Sequence, residues 1–416
     1  MTLPEAIRVA LAQNPEVAAS GWDADAATAR RLEAIGAVLP SLHAVSGYNH
    51  YLDAQRLVPA RFNGELGAFS RNIFSSDLVI TMPLFTGGRL ISEFKAAELL
   101  QQAAEHRLSR TREELVFNVA SAFFSILKQR HVIESVEFSR KALQEHVQRV
   151  QDLIEAQKAT KVDLLRIQVR LADLQEQLVR ERNTLQIQLR VMANLLGLEG
   201  EEPSVELVGD LTLPGPEPAL SVPQGVAQAY VNRGDYLAAR ATVEAQAKNV
   251  DAARAAYWPT VAMQGSYGWR WAAQASDLPE GIASQDDVAR LGVLMDIPLF
   301  EGGRITARVR EQRSRLAAAQ ERLRQLELQI RLDVETALLN MQSARERIEA
   351  TQTSIEQAKE SLRIEREKYD VGKGTTTDVL DAQSALLTSQ TAFYRALSDY
   401  RIAEAQLRLA TGAPMP

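Results

Sequence analysis

The chain has 416 residues, 46% hydrophobic, 24% charged and 6% aromatic, with no cysteine and a formal net charge of −6. That composition excludes a disordered polar chain, a disulfide-stapled mini-protein and a thiolate metal site, and its acidic balance argues against nucleic acid as a partner. No run of about 18 apolar residues exists to form a transmembrane helix, and Met1-Thr2-Leu3-Pro4-Glu5 lacks the basic and apolar regions of a signal peptide, so any leader is expected to be absent from this numbering.

In chain order, two segments of two-residue period come first. Leu42, Ala44, Tyr48 and Leu52 share one face of a strand expected over about 40–52. Leu78, Ile80, Met82 and Leu84 share one face of a second, over about 73–85. Pro83-Leu84-Phe85-Thr86-Gly87-Gly88-Arg89 follows. Pro83 sits at a strand end, where a missing N–H is tolerated, and Gly87 and Gly88 let the backbone turn into a helix. From Arg89 to Leu196 there is neither Gly nor Pro, which predicts a long helical hairpin over 88–197. Heptad-spaced Ile126, Ile133, Val147 and Ile154, then Leu164, Leu171, Leu178, Leu185 and Met192, mark its two limbs. The Pro- and Glu-rich stretch 203–221 reads as a linker between a first repeat, 1–202, and a second, 222–416.

The second repeat is a copy of the first. Pro298-Leu299-Phe300-Glu301-Gly302-Gly303-Arg304 repeats the earlier motif at 298 − 83 = 215, and Asp378-Val379-Leu380 repeats Asp163-Leu164-Leu165 at the same offset. Gly412 repeats Gly197 likewise, while Arg233-Gly234-Asp235 matches Asn14-Pro15-Glu16 at 219. Strands are expected over about 259–271, with Val261, Met263, Gly265, Tyr267, Trp269 and Trp271 on one face, and over about 288–300, with Leu291, Val293, Met295, Ile297 and Leu299. A breaker-free run from Arg304 to Val371 and another from Thr375 to Thr411 predict a second hairpin over 303–411. A helix of about 68 residues would be on the order of 100 Å long. Heptad positions Met341, Ala344, Ile348, Leu362, then Val379, Ala382, Leu386, Ala396, Tyr400, Ala403, Leu407 and Ala410 alternate large and small residues, which admits a close neighbouring helix.

Each strand is long enough to cross a bilayer when tilted, with one apolar and one polar face. The same pattern also fits soluble hairpins packed on the helices. The clustering of Tyr267, Trp269 and Trp271 at one strand end suits an interfacial girdle, with polar connections such as Ser276-Asp277-Leu278-Pro279-Glu280-Gly281 as external loops. Four strands cannot close a barrel, so copies of the chain are needed: two would give eight strands and a filled interior, three would give twelve and a pore.

The duplicated order of short helix, helix, strand pair, Pro-Leu-Phe-x-Gly-Gly, long helix, turn and returning helix resembles the TolC family of trimeric outer-membrane efflux and secretion ducts. The match covers essentially the whole chain, and its most specific element is Tyr369-Asp370-Val371-Gly372-Lys373-Gly374-Thr375-Thr376-Thr377-Asp378-Val379-Leu380-Asp381-Ala382. The resemblance implies a mixed, predominantly α fold with internal duplication. Long antiparallel helical hairpins form an α-barrel, and four strands contribute to a trimeric transmembrane β-barrel. It implies a homotrimer in outer-membrane lipid that works with a periplasmic adaptor (membrane fusion) protein and an inner-membrane transporter as a passive exit duct. It places the linker in an equatorial belt. The alternative of another class is a soluble coiled-coil scaffold.

The resemblance also assigns residues. Asp378 and Asp381, three apart on the first turn of the returning helix, would form carboxylate rings at the channel constriction, where crowding would raise some pKa values and attract cations. On the residues alone, they equally suit a helix N-terminus. Tyr369 would contact the first-repeat tip near Asp163 in the closed state, with Lys373 standing in for an Arg that the family carries at the position of Gly374. Val371, Gly372, Gly374 and Lys158 would face the adaptor, although the first-repeat turn Ala156-Gln157-Lys158-Ala159-Thr160-Lys161 lacks glycine. Gly372 and Gly374 are expected to end one helix, and Thr375 to Thr377 to cap the next. Pro83, Gly87, Gly88, Pro298, Gly302 and Gly303 mark strand-to-helix transitions. Five histidines without an HxxxH pair, no cysteine and a Gly372-Lys373-Gly374-Thr375 stretch lacking the upstream P-loop glycine signal no enzyme, metal or cofactor.

Overall fold

The computed structural model describes residues 1–198, 206–213, 215, 220–272 and 283–413. The Ser276–Gly281 loop lies outside them. Eight α-helices and four strands are described: α1 (Leu3–Gln13), α2 (Pro15–Gly36), β1 (Ser41–Arg56), β2 (Phe69–Phe85), α3 (Arg89–Glu155), α4 (Lys161–Leu195), α5 (Val222–Asn232), α6 (Gly234–Arg254), β3 (Thr260–Ala272), β4 (Gln285–Asp296), α7 (Arg304–Asp370) and α8 (Thr376–Thr411). The chain divides into two compact units, residues 1–22, 105–238 and 324–416, and residues 23–104 and 239–323.

The first unit is built on the heptad positions. Ile126, Met192, Met341, Ala344, Ile348, Ala396, Tyr400, Ala403 and Ala410 are buried in one cluster, Ile133, Val136, Leu143, Val150, Ile167, Leu174 and Leu178 in a second, and Ala358, Leu362, Val379, Ala382 and Leu386 in a third. Each fully buried Leu, Ile or Val contributes about 1.5–3 kcal/mol, which is what holds helices this long in one register. The described part of the linker has no strand. It is pinned by Leu207 and Leu211 in the first cluster and by a backbone bond from Val208 N to Met1 O at 2.9 Å. His131 Nε2 lies 2.9 Å from Asp210 Oδ1, and its ring stacks on Tyr394 at 4.4 Å.

The duplication survives in the joints between short helices. At the α1–α2 joint, Asn14 Nδ2 donates to Leu195 O, the last turn of α4, at 3.0 Å, while its Oδ1 accepts from Glu16 N at 2.9 Å. At the α5–α6 joint, Arg233 takes that place. Its guanidinium donates to Ala410 O in the last turn of α8 at 3.3 Å, to Asp333 at 2.9 Å and to both oxygens of Asp235 at 3.0 and 2.7 Å. Gly197 and Gly412, at φ 67° and 69°, end α4 and α8 against these joints; a Cβ would lie 2.5 Å from Gln13 O in the first and 2.8 Å from Arg233 N in the second. The helix starts are duplicated as well: Glu5 Oε2 accepts from Thr2 N at 2.7 Å and Gln224 Oε1 from Ser221 N at 3.0 Å.

The second unit carries an antiparallel sheet of order β1-β2-β3-β4. Its strands differ from expectation at their ends. β1 runs on to Arg56 and β2 starts at Phe69, because pairing resumes past an irregularity between His50 and Gln55. β4 stops at Asp296 instead of continuing to 300, since Pro298 has no N–H for the ladder, so Ile297 and Leu299 leave the strand. Pro83 lies inside β2, two residues before its end, at a register shift between Pro83 and Phe85 that absorbs the missing donor. Gly87, Gly88, Gly302 and Gly303 all take positive φ, 64°, 87°, 59° and 83°, at the entries to α3 and α7.

Arg233 is 2% exposed and faces two carboxylates. Arg233→Ala removes the nearest cation from Asp333 and leaves Asp235 only Arg110 at 3.8 Å, and the expected loss of about 3–5 kcal/mol is read from denaturant unfolding of the detergent-solubilised protein.

Candidate functional site

Two regions collect the sequence-assigned residues, the helical tip of the first unit and the sheet of the second. At the tip, both inter-helix turns have one backbone geometry. Lys158 N donates to Leu153 O at 2.7 Å and Lys373 N to Lys368 O at 2.8 Å, the six-residue closure of a helix C-terminus. The left-handed residue is Gly372 at φ 73° in the second turn and Gln157 at φ 58° in the first, and 372 − 157 = 215 keeps the repeat offset. The first turn therefore has the same shape without glycine. Gly374 does not take a left-handed conformation. Its Cα is held close to Lys368, where a Cβ would come to 3.1 Å, so only Gly372 ends the helix as expected.

Thr160 and Thr375 alone cap α4 and α8. Thr375 Oγ1 accepts from Asp378 N at 3.2 Å, and the Asp378 carboxylate accepts from Thr375 N at 2.9 Å and Thr375 Oγ1 at 2.7 Å. Asp163 and Thr160 make the same box, at 3.3, 3.2 and 2.6 Å. Hydrogen bonds from Thr375 hold the Asp378 carboxyl below its ordinary range, and those from Thr160 do so for Asp163. In the single chain Asp378 is thus shifted in the direction opposite to the crowding expected of a ring. Asp381, one turn on and exposed, makes no hydrogen bond or salt bridge among the described residues.

Tyr369 makes no hydrogen bond to Asp163 among the described residues, and its ring packs against the first-repeat cluster. Its hydroxyl accepts from the buried Thr376 Oγ1 at 3.5 Å. Lys373 is exposed and makes no salt bridge among the described residues. The two hairpins are instead tied by Arg149 to Asp370 at 3.0 Å, Arg166 to Thr377 at 3.3 Å and Arg170 to Ser384 at 2.6 Å. Val371, Gly372 and Lys158 are exposed at the turns.

His146, absent from the sequence-based assignment, packs its ring edge-on against Tyr369 at 5.1 Å, with Nε2 buried and unpartnered. Burial lowers its pKa from the ordinary 6.5, helped by Arg149 and Arg366 and opposed by Asp370. A groove of about 660 Å³ beside it is lined by Phe138, Lys359, Arg363 and Arg366. Nothing in the heptad pattern separates His146 from an ordinary polar surface position, so the contact is visible only once α7 lies alongside.

In the sheet, register sorts the residues onto two faces. Cross-strand rows Leu42–Ile80–Gly265–Leu291, Ala44–Leu78–Tyr267–Ala289 and Tyr48–Phe74–Trp271–Gln285 lie on one, and the expected apolar positions that pair in the register fall together there, whereas Leu52 and Leu84 sit at the two irregularities and have no cross-strand partner. The girdle is wider than expected, since Tyr48 meets Phe74 at 4.9 Å and Phe74 stacks on Trp271 at 5.6 Å. At the other end Phe85 pairs with Val261, a second aromatic position on that face.

The opposite face is polar. Arg270 grips Asp77 through two bonds of 2.8 and 2.9 Å. The carboxylate lies flat across β3 because Gly268 leaves it room; a Cβ there would sit 2.7 Å from the Asp77 Cα. Opposite charges on the polar phase of two neighbouring strands were the available signal for this pair. Arg61, from the β1–β2 connection, reaches Asp286 on β4 at 2.9 Å.

A four-stranded sheet with one lipid-suited and one polar face, carried by a duplicated pair of long helical hairpins, defines an outer-membrane channel subunit. The family model described as "Outer membrane efflux protein" matches residues 6–198 and 225–413, and the chain belongs to that family. It is 24% identical over 335 residues to the outer membrane efflux protein BepC of Brucella suis, covering 79% of this chain and 70% of that one. It is 22% identical over 411 residues to the outer membrane protein TolC of Escherichia coli, covering 96% and 80%. The crystal structure of the outer membrane protein VceC of Vibrio cholerae superposes with a TM-score of 0.82 at 20% identity, over 99% of this chain and 96% of that one. This is an efflux or secretion channel protein of the Gram-negative outer membrane that extends into the periplasm, and the soluble-scaffold alternative has no support.

Two outcomes are expected at the tip. Gln157→Gly relieves a left-handed non-glycine residue and raises stability by about 1 kcal/mol, measured by thermal unfolding. An unfolded imidazole takes up its proton before the buried one, so the stabilisation from neutral His146 is present above about pH 6.5 and is lost as the pH falls below it. The midpoint of wild-type unfolding therefore drops on acidification more steeply than that of His146→Gln.

Proposed function

We propose that the chain works as a homotrimer whose twelve strands close one barrel in outer-membrane lipid and whose hairpins form a periplasmic tunnel. The assembly acts as the passive exit duct of a tripartite efflux or type I secretion system. The observation that carries this is the sheet itself: β1 and β4 have open outer edges, which hydrocarbon does not tolerate, and three copies close them around a pore while two would fill it. An exposed apolar seam on α4, Val162, Leu165, Val169, Val179, Ile187 and Val191, supports burial between copies.

The duct receives substrate from an inner-membrane transporter through a periplasmic adaptor. Val371, Gly372, Gly374 and Lys158 face the adaptor, and the linker with α1 and α5 belongs to an equatorial belt. No chemistry is performed on the cargo; the transporter supplies the energy. At the tip, Asp378 and Asp381 meet cations in the narrow entrance; one oxygen of Asp378, Oδ2, is held by the cap of α8, and Asp381 has both oxygens free of hydrogen bonds among the described residues. Tyr369, Thr376 and Asp163 hold the two hairpins together in the closed state, and Lys373 is left to solvent.

Planar-bilayer recording tests the reading. Purified protein is expected to conduct with cation preference, and no current would sink the duct. Asp378→Asn with Asp381→Asn lowers the cation preference by several-fold, with Asp381→Asn alone giving most of it because Asn at 378 keeps an acceptor for the cap; an unchanged reversal potential removes both residues from the constriction.

A further inference from the structure

We propose that Arg290 is an anion-selective element in the wall of the strand barrel, a contact for carboxylate, sulfonate or phosphate groups of passing solutes. The inference rests on the duct reading above. Over four successive rows of the polar face, the register brings together Ser41–Thr81–Gln264–Gly292, His43–Val79–Ser266–Arg290, Val45–Asp77–Gly268–Val288 and Gly47–Ser75–Arg270–Asp286. Four of these residues carry a fixed charge. Asp77 is paired with Arg270, and Asp286 with Arg61, which also lies 3.8 Å from Asp287 on the other face. Arg290 remains. It is exposed, it makes no hydrogen bond or salt bridge among the described residues, and its neighbours along β4 on that face are Val288 and Gly292, neither of which offers an acceptor side chain.

β4 is an edge of the sheet, so in a closed barrel its free side pairs with β1 of the next copy. The polar face of β1 between 41 and 50 consists of Ser41, His43, Val45, Gly47 and Asn49. None is acidic, and the neighbouring subunit therefore brings no counter-ion to Arg290 in that stretch. A twelve-stranded barrel is about 24 Å across its backbone, so a side chain reaching about 6 Å inward places its charge within roughly one Debye length, ~8 Å at physiological salt, of the axis. Three such charges per trimer make the barrel lumen favour anions, in contrast to the carboxylates of the helical tip.

The chain has no cysteine, so Arg290→Cys introduces a unique thiol. Reversal potentials under a KCl gradient are measured for the wild type, for Arg290→Cys, and for the variant after its thiol has formed a mixed disulfide with a cationic or an anionic methanethiosulfonate, methanesulfinate leaving. The ratio of cation to anion permeability is expected to rise about twofold on loss of the charge, more at low salt. It returns to the wild-type value with the cationic reagent and climbs further with the anionic one. Arg290→Gln should reproduce the first shift if the thiol variant inserts poorly. A conducting channel whose ratio is the same in all states, or a thiol in reconstituted vesicles that neither charged reagent reaches, overturns the proposal while leaving the duct intact. A wild type that conducts nothing overturns the duct reading itself.

Discussion

The unpaired backbone along the outer edges of β1 and β4 is the constraint on which the rest of the molecule depends. In water an open edge invites aggregation; in hydrocarbon every unpaired N–H and C=O costs several kcal/mol, and no strand among the described residues supplies the missing partners. A protomer with a sheet of this size is incomplete by construction. The same incompleteness shows on α4, whose exposed seam of Val and Leu at helical spacing has no cover within the described residues.

Duplication explains why the architecture is regular although the chemistry of its halves is not. The two joints that end the long hairpins have diverged from Asn14 to Arg233, yet each side chain donates to a carbonyl in the last turn of the returning helix, Leu195 in one repeat and Ala410 in the other. The amide does this alone. The guanidinium, taken out of water, needs the carboxylates of Asp235 and Asp333 as well, so the second joint is an ion-pair cluster where the first is a neutral hydrogen bond. At the tips the divergence runs the other way: Gln157 is forced into the left-handed backbone that Gly372 adopts at no steric cost. Geometry has been kept, and the residues have changed within what it tolerates.

Much of this was legible beforehand. Breaker-free runs located the long helices, heptad positions named most of the buried residues of the second hairpin, and two-residue alternation named the apolar face of each strand away from its irregularities, because periodicity is a direct consequence of backbone geometry; in the first hairpin Val147, Ile154, Leu164 and Leu171 are only partly buried, and Val136, Leu143, Val150, Ile167 and Leu174 lie deeper. Strand ends were less legible. The irregularity beyond His50 in β1 has no local signature, and the Pro298 that truncates β4 looks identical in the motif to the Pro83 that β2 absorbs in a register shift. The tip was read only in part. One oxygen of Asp378, Oδ2, caps its own helix, the helix-N-terminus use that the Thr375-to-Asp378 spacing already contained.

By itself, the sequence determined the class of structure: a duplicated chain of long amphipathic helices joined to strands with one apolar face, since each of those properties follows from spacing along the backbone. Tertiary structure alone decided the pairings across elements. Arg270 on Asp77, His146 on Tyr369, Arg166 on Thr377, and Arg233 among two carboxylates and a helix end all depend on register and on the approach of distant segments. Spacing along one strand or helix says which way a side chain points, and only packing says what it meets there.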